Sequence, residues 1–278
     1  MKAEEILGID KLVFVEPQFS VLTDSRYNDI LARAGDEEGR LLLDEQEEPI
    51  ALAFRDGDCW VTGSFLSRNP SAFLIEKFEN ANGEIYQEDR AAWAAAVREY
   101  FGLALKAEVP PALEDLNPKR KGILTDLIRG FWGAGHGETC IDACCGSGVG
   151  SLVLRDLGYT PLSYDNDPAL LSLGLSTGRL RPEETMWIDA LKVSQYTQPV
   201  PRGIGIMMGE INSFSQEMWQ QIVLELFAVT QETLITVGTE PEARLIGQWG
   251  ADLGRTVEVS ENPADPIYDI WVCRSKAQ

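Results

Sequence analysis

The stretch Thr139-Cys140-Ile141-Asp142-Ala143-Cys144-Cys145-Gly146-Ser147-Gly148-Val149-Gly150 decides how the second half of this chain is read. It gives a short apolar strand, an acid at the strand's end, a glycine-rich turn and a helix opening at Ser151. Strand, glycine turn and helix together bring backbone N–H groups against a nucleotide-like ligand. Gly146 and Gly148 stand where positive φ or close approach of a ligand is needed. Asp142 is placed to anchor the turn and to lie near a cationic ligand group. Roughly fifteen residues on, a second strand ends in acid at Leu162-Ser163-Tyr164-Asp165-Asn166-Asp167-Pro168. A carboxylate there can accept two hydrogen bonds from a ribose diol.

A nicotinamide dinucleotide site follows the same logic but wants Gly-x-Gly-x-x-Gly. Counted from Gly146, the sixth position is Ser151, so that fingerprint fails. The stretch instead resembles motif I of the class I S-adenosylmethionine-dependent methyltransferases, an acid followed by three alternating glycines. Here it runs Asp142-x-Cys144-x-Gly146-x-Gly148, with Cys144 in place of the first glycine. Tyr164-Asp165-Asn166-Asp167-Pro168 resembles the family's second motif, and Met186-Trp187-Ile188-Asp189-Ala190-Leu191 its third. The resemblance covers roughly residues 115 to 278. It implies S-adenosyl-L-methionine as cofactor. Asp142, Cys144, Gly146, Ser147 and Gly148 would then face its methionine part, and Asp165 the ribose. Asn166 and Leu191 would flank the adenine, and Asp189, with Ala190 beside it, would meet the adenine amino group.

From Glu138 onward strand and helix patterns alternate. Strands are expected at 139–143, 160–165, 185–189, 203–208 and 233–238, and helices at 151–157, 168–177, 214–230 and 240–252. That alternation predicts a parallel sheet with right-handed crossovers. Two further strands, 255–260 and 268–274, form a terminal hairpin, which matches the antiparallel seventh strand that the resemblance implies. Asn117-Pro118 opens a helix ahead of the first strand. The expected fold is α/β, a Rossmann-like, mostly parallel seven-stranded sheet with an antiparallel C-terminal hairpin strand.

Residues 1–110 carry no cofactor motif and read as a small α+β domain for substrate recognition, with 111–278 as the cofactor-binding domain. Arg55-Asp56-Gly57-Asp58 between apolar runs argues for a hairpin. Phe73 to Phe78 reads equally as strand or helix. Asp89 caps a helix to Leu105 whose apolar face includes Trp93, Val97 and Phe101. Val109-Pro110-Pro111 marks the boundary.

Composition limits the partners. The chain has 278 residues with 44% apolar content, enough for a substantial core, and a formal net charge of −20 spread over both halves. Such an acidic chain repels polyanions at long range, so a nucleic-acid or anionic-membrane partner is disfavoured. Five cysteines with no Cys-x-x-Cys spacing, and a single histidine, His136, argue against structural zinc. Free thiols without an export signal or an apolar run of membrane length point to a cytoplasmic setting. Cys144 and Cys145 stand at a helix N-terminus, which favours a thiolate, although small side chains filling a tight loop account for them as well.

Methyl transfer requires positioning of the acceptor above all. The loop after the fourth strand, Gly209-Glu210-Ile211-Asn212-Ser213-Phe214, places Glu210 and Asn212 as the catalytic candidates. Glu210 would orient or deprotonate an amine, or merely cap the next helix; Asn212 would hold a polar acceptor. Nothing like the Asn/Asp-Pro-Pro-Tyr motif of the amino-methylating nucleic-acid enzymes follows that strand. His136 is a surface-loop histidine or a base. Lys119-Arg120-Lys121 is a solvated helix start or a phosphate contact. The preferred reading is methyl transfer to a small molecule or protein side chain. RNA methylation and a catalytically silent cofactor-binding scaffold are the alternatives, with aminopropyl transfer further off.

Overall fold

The chain is described here by a computed structural model covering residues 2–114 and 116–277. It divides into two compact units, Met1–Ala104 and Leu105–Gln278. No described helix is long and apolar enough to cross a membrane.

The first unit begins with α1 (Ala3–Leu7), β1 (Leu12–Phe14) and α2 (Arg26–Leu31). It continues through β2 (Glu38–Leu43), β3 (Pro49–Asp56), β4 (Cys59–Ser64), α3 (Ala72–Asn80) and β5 (Asn82–Gln87), and ends within α4 (Arg90–Glu108). Its sheet has the order β1-β4-β3-β2-β5, with antiparallel pairs in the middle and a parallel strand on each edge. The expected hairpin joins β3 to β4, and Gly57 supplies the positive φ, 59°, that its tight turn requires. The ambiguous 73–78 stretch is helix. Ser71 caps it by accepting from the Leu74 amide, and Leu74 and Phe78, one turn apart, are the residues it buries. Asp89 caps α4 by accepting from the amides of Ala91 (2.7 Å) and Ala92 (3.1 Å).

The second unit holds α5 (Pro118–Trp132), β6 (Thr139–Ala143), α6 (Val149–Asp156), β7 (Thr160–Asp165), α7 (Pro168–Thr177) and β8 (Thr185–Trp187). After these come β9 (Val200–Gly205), α8 (Gln216–Ala228), β10 (Thr230–Val237), α9 (Glu240–Asp252), β11 (Thr256–Glu261) and β12 (Trp271–Lys276). Its seven strands lie in the order β8-β7-β6-β9-β10-β12-β11. All neighbours are parallel except β12, which is antiparallel to both β10 and β11. This is the expected Rossmann-like sheet with its antiparallel hairpin strand. The chain lays β7 and β8 to one side of β6 and then returns to lay β9 on the other side. The order therefore reverses between β6 and β9, which is where ligands of open α/β sheets bind.

Among the boundaries that differ from the sequence reading, three have a side-chain cause. The third strand stops at Trp187, because Asp189 turns back to accept from the Leu191 amide and starts a 3-10 helix over Ala190–Gln195. The fourth strand runs Val200–Gly205 rather than 203–208; Met207 adopts φ 56° and gives its amide to the Thr236 hydroxyl, not to a strand neighbour. The last strand begins at Trp271, because Asp265 folds the preceding residues into a turn by accepting from the amides of Ile267 and Tyr268.

The core on one face of the sheet joins Leu124 and Ile128 of α5, Val153 and Leu154 of α6, Ile204 of β9, Leu234 of β10 and Val272 of β12. At the carboxyl ends of the strands a polar chain replaces it. Arg120 of α5 donates from Nε (3.1 Å) and Nη2 (3.4 Å) to Asp269, which is fully buried in the β11–β12 loop. Asp269 also accepts from the Thr236 hydroxyl at 2.6 Å, and that hydroxyl in turn accepts from the Met207 amide at 2.7 Å. Removing one partner of a buried ion pair strands the other, at ~3–5 kcal/mol. Asp269→Ala is expected to lower the urea midpoint of unfolding by a corresponding amount, while Asp269→Asn, which keeps an acceptor for both partners, loses less.

Candidate functional site

The next-to-last residue of β6 is Asp142, whose carboxylate is buried beneath the glycine turn and not turned into solvent. It accepts from the Ser151 hydroxyl at 2.5 Å, and Ser151 is also 2.6 Å from the hydroxyl of Ser163, the β7 residue in register with Asp142. Ser151 occupies the position at which the dinucleotide fingerprint fails, and its hydroxyl does there what a glycine cannot. Gly150 allows this closeness, since a Cβ on it would stand 2.7 Å from Asp142 Oδ1 and 2.9 Å from Ile204 Cδ1. Burial pushes the Asp142 carboxyl up to about 7, against the lowering effect of the Ser151 bonds.

The turn itself is tied down on both sides. The Cys145 amide donates to the Tyr164 carbonyl (3.0 Å) and the Gly148 amide to the Cys145 carbonyl (2.9 Å). Gly148 takes φ 86° as the residue before α6, with the side chain of Leu180 packed where its Cβ would be. Arg179, almost wholly buried, donates to the Ser147 carbonyl (2.9 Å) and to Glu114 (2.7 Å). Cys144 adopts φ 50°, the left-handed conformation that glycine tolerates best. The substitution that distinguishes this sequence from the motif it resembles therefore falls at a strained position.

Asp165 closes β7. Its Oδ2 accepts from the Gly146 amide and its Oδ1 from the Asp167 amide, each at 2.8 Å. A carboxylate offers about four lone-pair positions, so two remain after those bonds. Burial raises its pKa, partly offset by the same backbone bonds. Asn166 and Asp189 are exposed; Asn166 gives its carbonyl to the Trp187 indole, and Asp189 holds the Leu191 amide. Leu191 is half-buried and Ala190 buried. Asp142, Asp165 and Asp189 each lie close enough to Cys144 for their charges to raise its pKa. The structure thus gathers Asp142, Cys144, Gly146, Ser147, Gly148, Asp165 and Asp189 around one turn.

Glu210 and Asn212 stand on the loop after β9, on the other side of the switch point, and both are exposed. Asn212 spends its side-chain oxygen on the Phe214 amide (2.9 Å), and its carbonyl accepts from Ser215 and Gln216 at the start of α8. Glu210 contributes its carbonyl to the Ser215 hydroxyl (2.6 Å). Asn212 rather than Glu210 therefore turns the chain into the helix. Glu242, buried in α9, holds this loop from behind by accepting from the Ile211 amide at 2.8 Å. Sequence reading missed Glu242, Thr236, Asp269 and Ser151. Ser151 and Thr239-x-x-Glu242 leave a local trace, a hydroxyl one turn past the glycines and a capping pattern. Asp269 leaves none, because its partner Arg120 is 149 residues away.

Three sequence readings fall on the geometry. His136 lies in the loop before β6, at the amino end of a five-residue strand about 16 Å long, so it is remote from the carboxyl-end site. Of the Lys119-Arg120-Lys121 cluster, Arg120 is held by Asp269 and Lys121 by Asp156 at 2.7 Å, which leaves the exposed Lys119 as its available cation and fits the solvated helix start. The thiols of Cys144 and Cys145 are not thiolates. Burial pushes Cys144 up to about 12 and Cys145 well above the ordinary thiol range, outweighing any pull from the helix N-terminus.

No protein-family profile and no curated protein matches this sequence. Among solved structures, similarity is found to a candidate RNA methyltransferase from Pyrococcus horikoshii, at 16% identity and TM-score 0.45, over 64% of this chain and 95% of that one. The magnesium protoporphyrin IX methyltransferase of Synechocystis, solved with S-adenosylmethionine bound, shows 13% identity and TM-score 0.45 over 66% and 97%. The precorrin-6y C5,15-methyltransferase of Geobacter metallireducens shows 12% identity and TM-score 0.43 over 62% and 95%.

A left-handed conformation costs an ordinary residue ~1–2 kcal/mol relative to glycine. Cys144→Gly is therefore expected to raise the unfolding midpoint, by about 1 kcal/mol once the lost side-chain burial is set against it. A fall in the midpoint would show that the thiol's packing outweighs the backbone strain.

Proposed function

We propose that the second unit binds S-adenosylmethionine and transfers its methyl group to a small molecule or a protein side chain. The observation that carries this reading is the charge of the donor set at the switch point. Carboxylates stand at or just beyond the ends of three successive strands at Asp142, Asp165 and Asp189, and the guanidiniums of Arg120 and Arg179 are already bonded to Asp269 and to Ser147 and Glu114. A dinucleotide brings a pyrophosphate dianion, which that set repels. S-adenosylmethionine brings a sulfonium and an ammonium, which it attracts. The Gly146 amide points the same way, because it already donates to Asp165 and is not free for a phosphate.

The cofactor supplies an electrophilic methyl group on sulfur. The chain's task is to hold it and bring the acceptor into line. Asp165 keeps two lone-pair positions for the ribose hydroxyls while its backbone bonds fix its direction. Asp189 stands at the end of β8 for the adenine amino group. Asp142 is too buried to be reached directly. It sets the shape of the turn through Ser151 and adds negative potential under the cationic end of the ligand. Glu210 and Asn212, across the switch point, are proposed to face the acceptor. The net charge of −20 and the buried pairing of Arg120 with Asp269 speak against RNA as that acceptor, since phosphate contacts need a basic surface.

Calorimetric titration tests the reading. S-adenosylmethionine and S-adenosylhomocysteine are expected to bind with micromolar Kd and NAD not at all, with Asp165→Ala and the exposed-site variant Asp189→Ala each losing at least tenfold. Binding of NAD alone, or of none of the three, sinks the reading. A pH dependence follows from Asp142. Its carboxyl is held near 7 and a cationic ligand favours the ionised form, so affinity is expected to increase as pH rises through about 7, with proton release on binding at pH 6. Titration in two buffers of different ionisation enthalpy measures that proton, and Asp142→Asn is expected to abolish it.

A further inference from the structure

The acceptor side of the site has a composition of its own. From Gly203 to Ala243 the chain contains no lysine, arginine or histidine, and its only charged residues are Glu210, Glu217, Glu225, Glu232, Glu240 and Glu242. That span includes both loops, after β9 and after β10, that rise beyond the carboxyl ends of the strands next to the glycine turn. On the first of them and at the start of α8 three large apolar side chains face outward, while Met208 is buried. Phe214 is 99% exposed, Met207 49% and Met218, in the first turn of α8, 46%.

The exposure is enforced by the backbone. The Met207 amide is fixed by Thr236, the Ile211 amide by Glu242, the Asn212 amide by the Ser215 hydroxyl (3.0 Å) and the Phe214 amide by Asn212. An unrestrained loop of this composition would fold such side chains inward, at ~25 cal/mol per Å² of apolar surface removed from water. Here the amides of Met207, Ile211, Asn212 and Phe214 are already committed, so the loop and the first turn of α8 present an aromatic ring and two thioethers to solvent, on the same segment as the exposed Glu210. Aromatic and methionine side chains held in solvent at a site mark a surface meant to be covered.

We infer that the methyl acceptor is a small amine on an aromatic or aliphatic body, docked on Phe214, Met207 and Met218 with its nitrogen at Glu210. This rests on the methyltransferase reading and narrows it. The apolar side chains take the body of the molecule. The carboxylate holds the ammonium, and an aromatic face adds cation–π attraction. The ammonium loses one proton to solvent. The freed nitrogen lone pair then forms the N–C bond as the C–S bond breaks and its electron pair returns to sulfur. The products are S-adenosylhomocysteine and a methylammonium, again balanced by Glu210. An anionic acceptor would meet the exposed Glu210 and Glu217 carboxylates, whereas Glu232 and Glu240 are already paired with Arg202, Lys276 and Arg244.

The test uses three probes, tryptamine, its charge-reversed relative indole-3-acetate, and total tRNA. The full chain is first loaded with S-adenosylhomocysteine and titrated with each. Methyl-tritiated S-adenosylmethionine is then used to follow transfer. Tryptamine is expected to bind at least tenfold more tightly than indole-3-acetate and to accept label. Phe214→Ser, at a fully exposed position, should weaken tryptamine at least tenfold while leaving the Kd for S-adenosylmethionine within twofold, and Glu210→Gln should erase the preference for amine over acid. Normal cofactor binding with no preference for tryptamine, a preference that survives Phe214→Ser, or label in tRNA overturns this inference alone. Absence of cofactor binding overturns the methyltransferase reading, and this one with it.

Discussion

One carboxylate organises the cofactor side of this molecule. Asp165 accepts from the amide of Gly146 in one loop and of Asp167 in the next, so the ends of β6 and β7 are locked together at the height where a ligand would lie. That bond adds to the Cys145–Tyr164 and Gly148–Cys145 backbone bonds and the Arg179 contact that also hold the glycine turn. A loop that must accept a ligand against its backbone cannot be stabilised by burying its own side chains, because those would fill the space. It is stabilised by polar bonds from outside, and charge-assisted ones are the strongest available. Desolvation of Asp165 and Asp142 raises both pKa values, which is the cost of burying two acids beside one turn.

The parts of the structure legible in the sequence are those governed by short-range rules. The β6 turn, the Pro118 helix start with Asn117 as its cap, the Asp-Gly hairpin and the alternation from Glu138 onward follow from residues within a few positions of each other. Three of the boundaries that shifted share one cause. Asp189, Asp265 and the Thr236–Met207 bond each divert a backbone amide from a strand to a side chain, and apolar periodicity carries no information about such diversions. The 73–78 segment was undecided because six apolar-rich residues satisfy both periods; the Ser71 cap settles it.

The same limit explains what was legible of the site. The strand-end acids stand in contiguous motifs and are visible. The groups that set the acceptor loop, Glu242 on α9 and the Arg120–Asp269–Thr236 chain, come from helices and loops far apart in sequence, and only the folded sheet joins them. The thiols show the converse error. Reading Cys144 and Cys145 from their place before α6 credits the helix with a field that burial overrides, since desolvating a thiolate costs more than the end of an eight-residue helix returns.

The two sides of the switch point are built on opposite plans, and the contrast bears on chemistry. On the β6–β8 side the backbone faces the ligand and the acids lie at strand ends, which suits a ligand whose shape and charge never vary. On the β9–β10 side the backbone is withdrawn into bonds with Thr236, Glu242, Ser215 and Asn212, and side chains face outward. Side chains can be exchanged without moving a backbone that buried partners hold in place. Under the proposed methyl transfer, a loop so constructed would allow the acceptor to change by substitution at Met207, Phe214 or Met218 while the backbone stays fixed. In-line transfer tolerates little displacement of the reacting atoms, so on that reading the buried groups behind the loop would hold its geometry and the exposed residues in front of it would set selectivity.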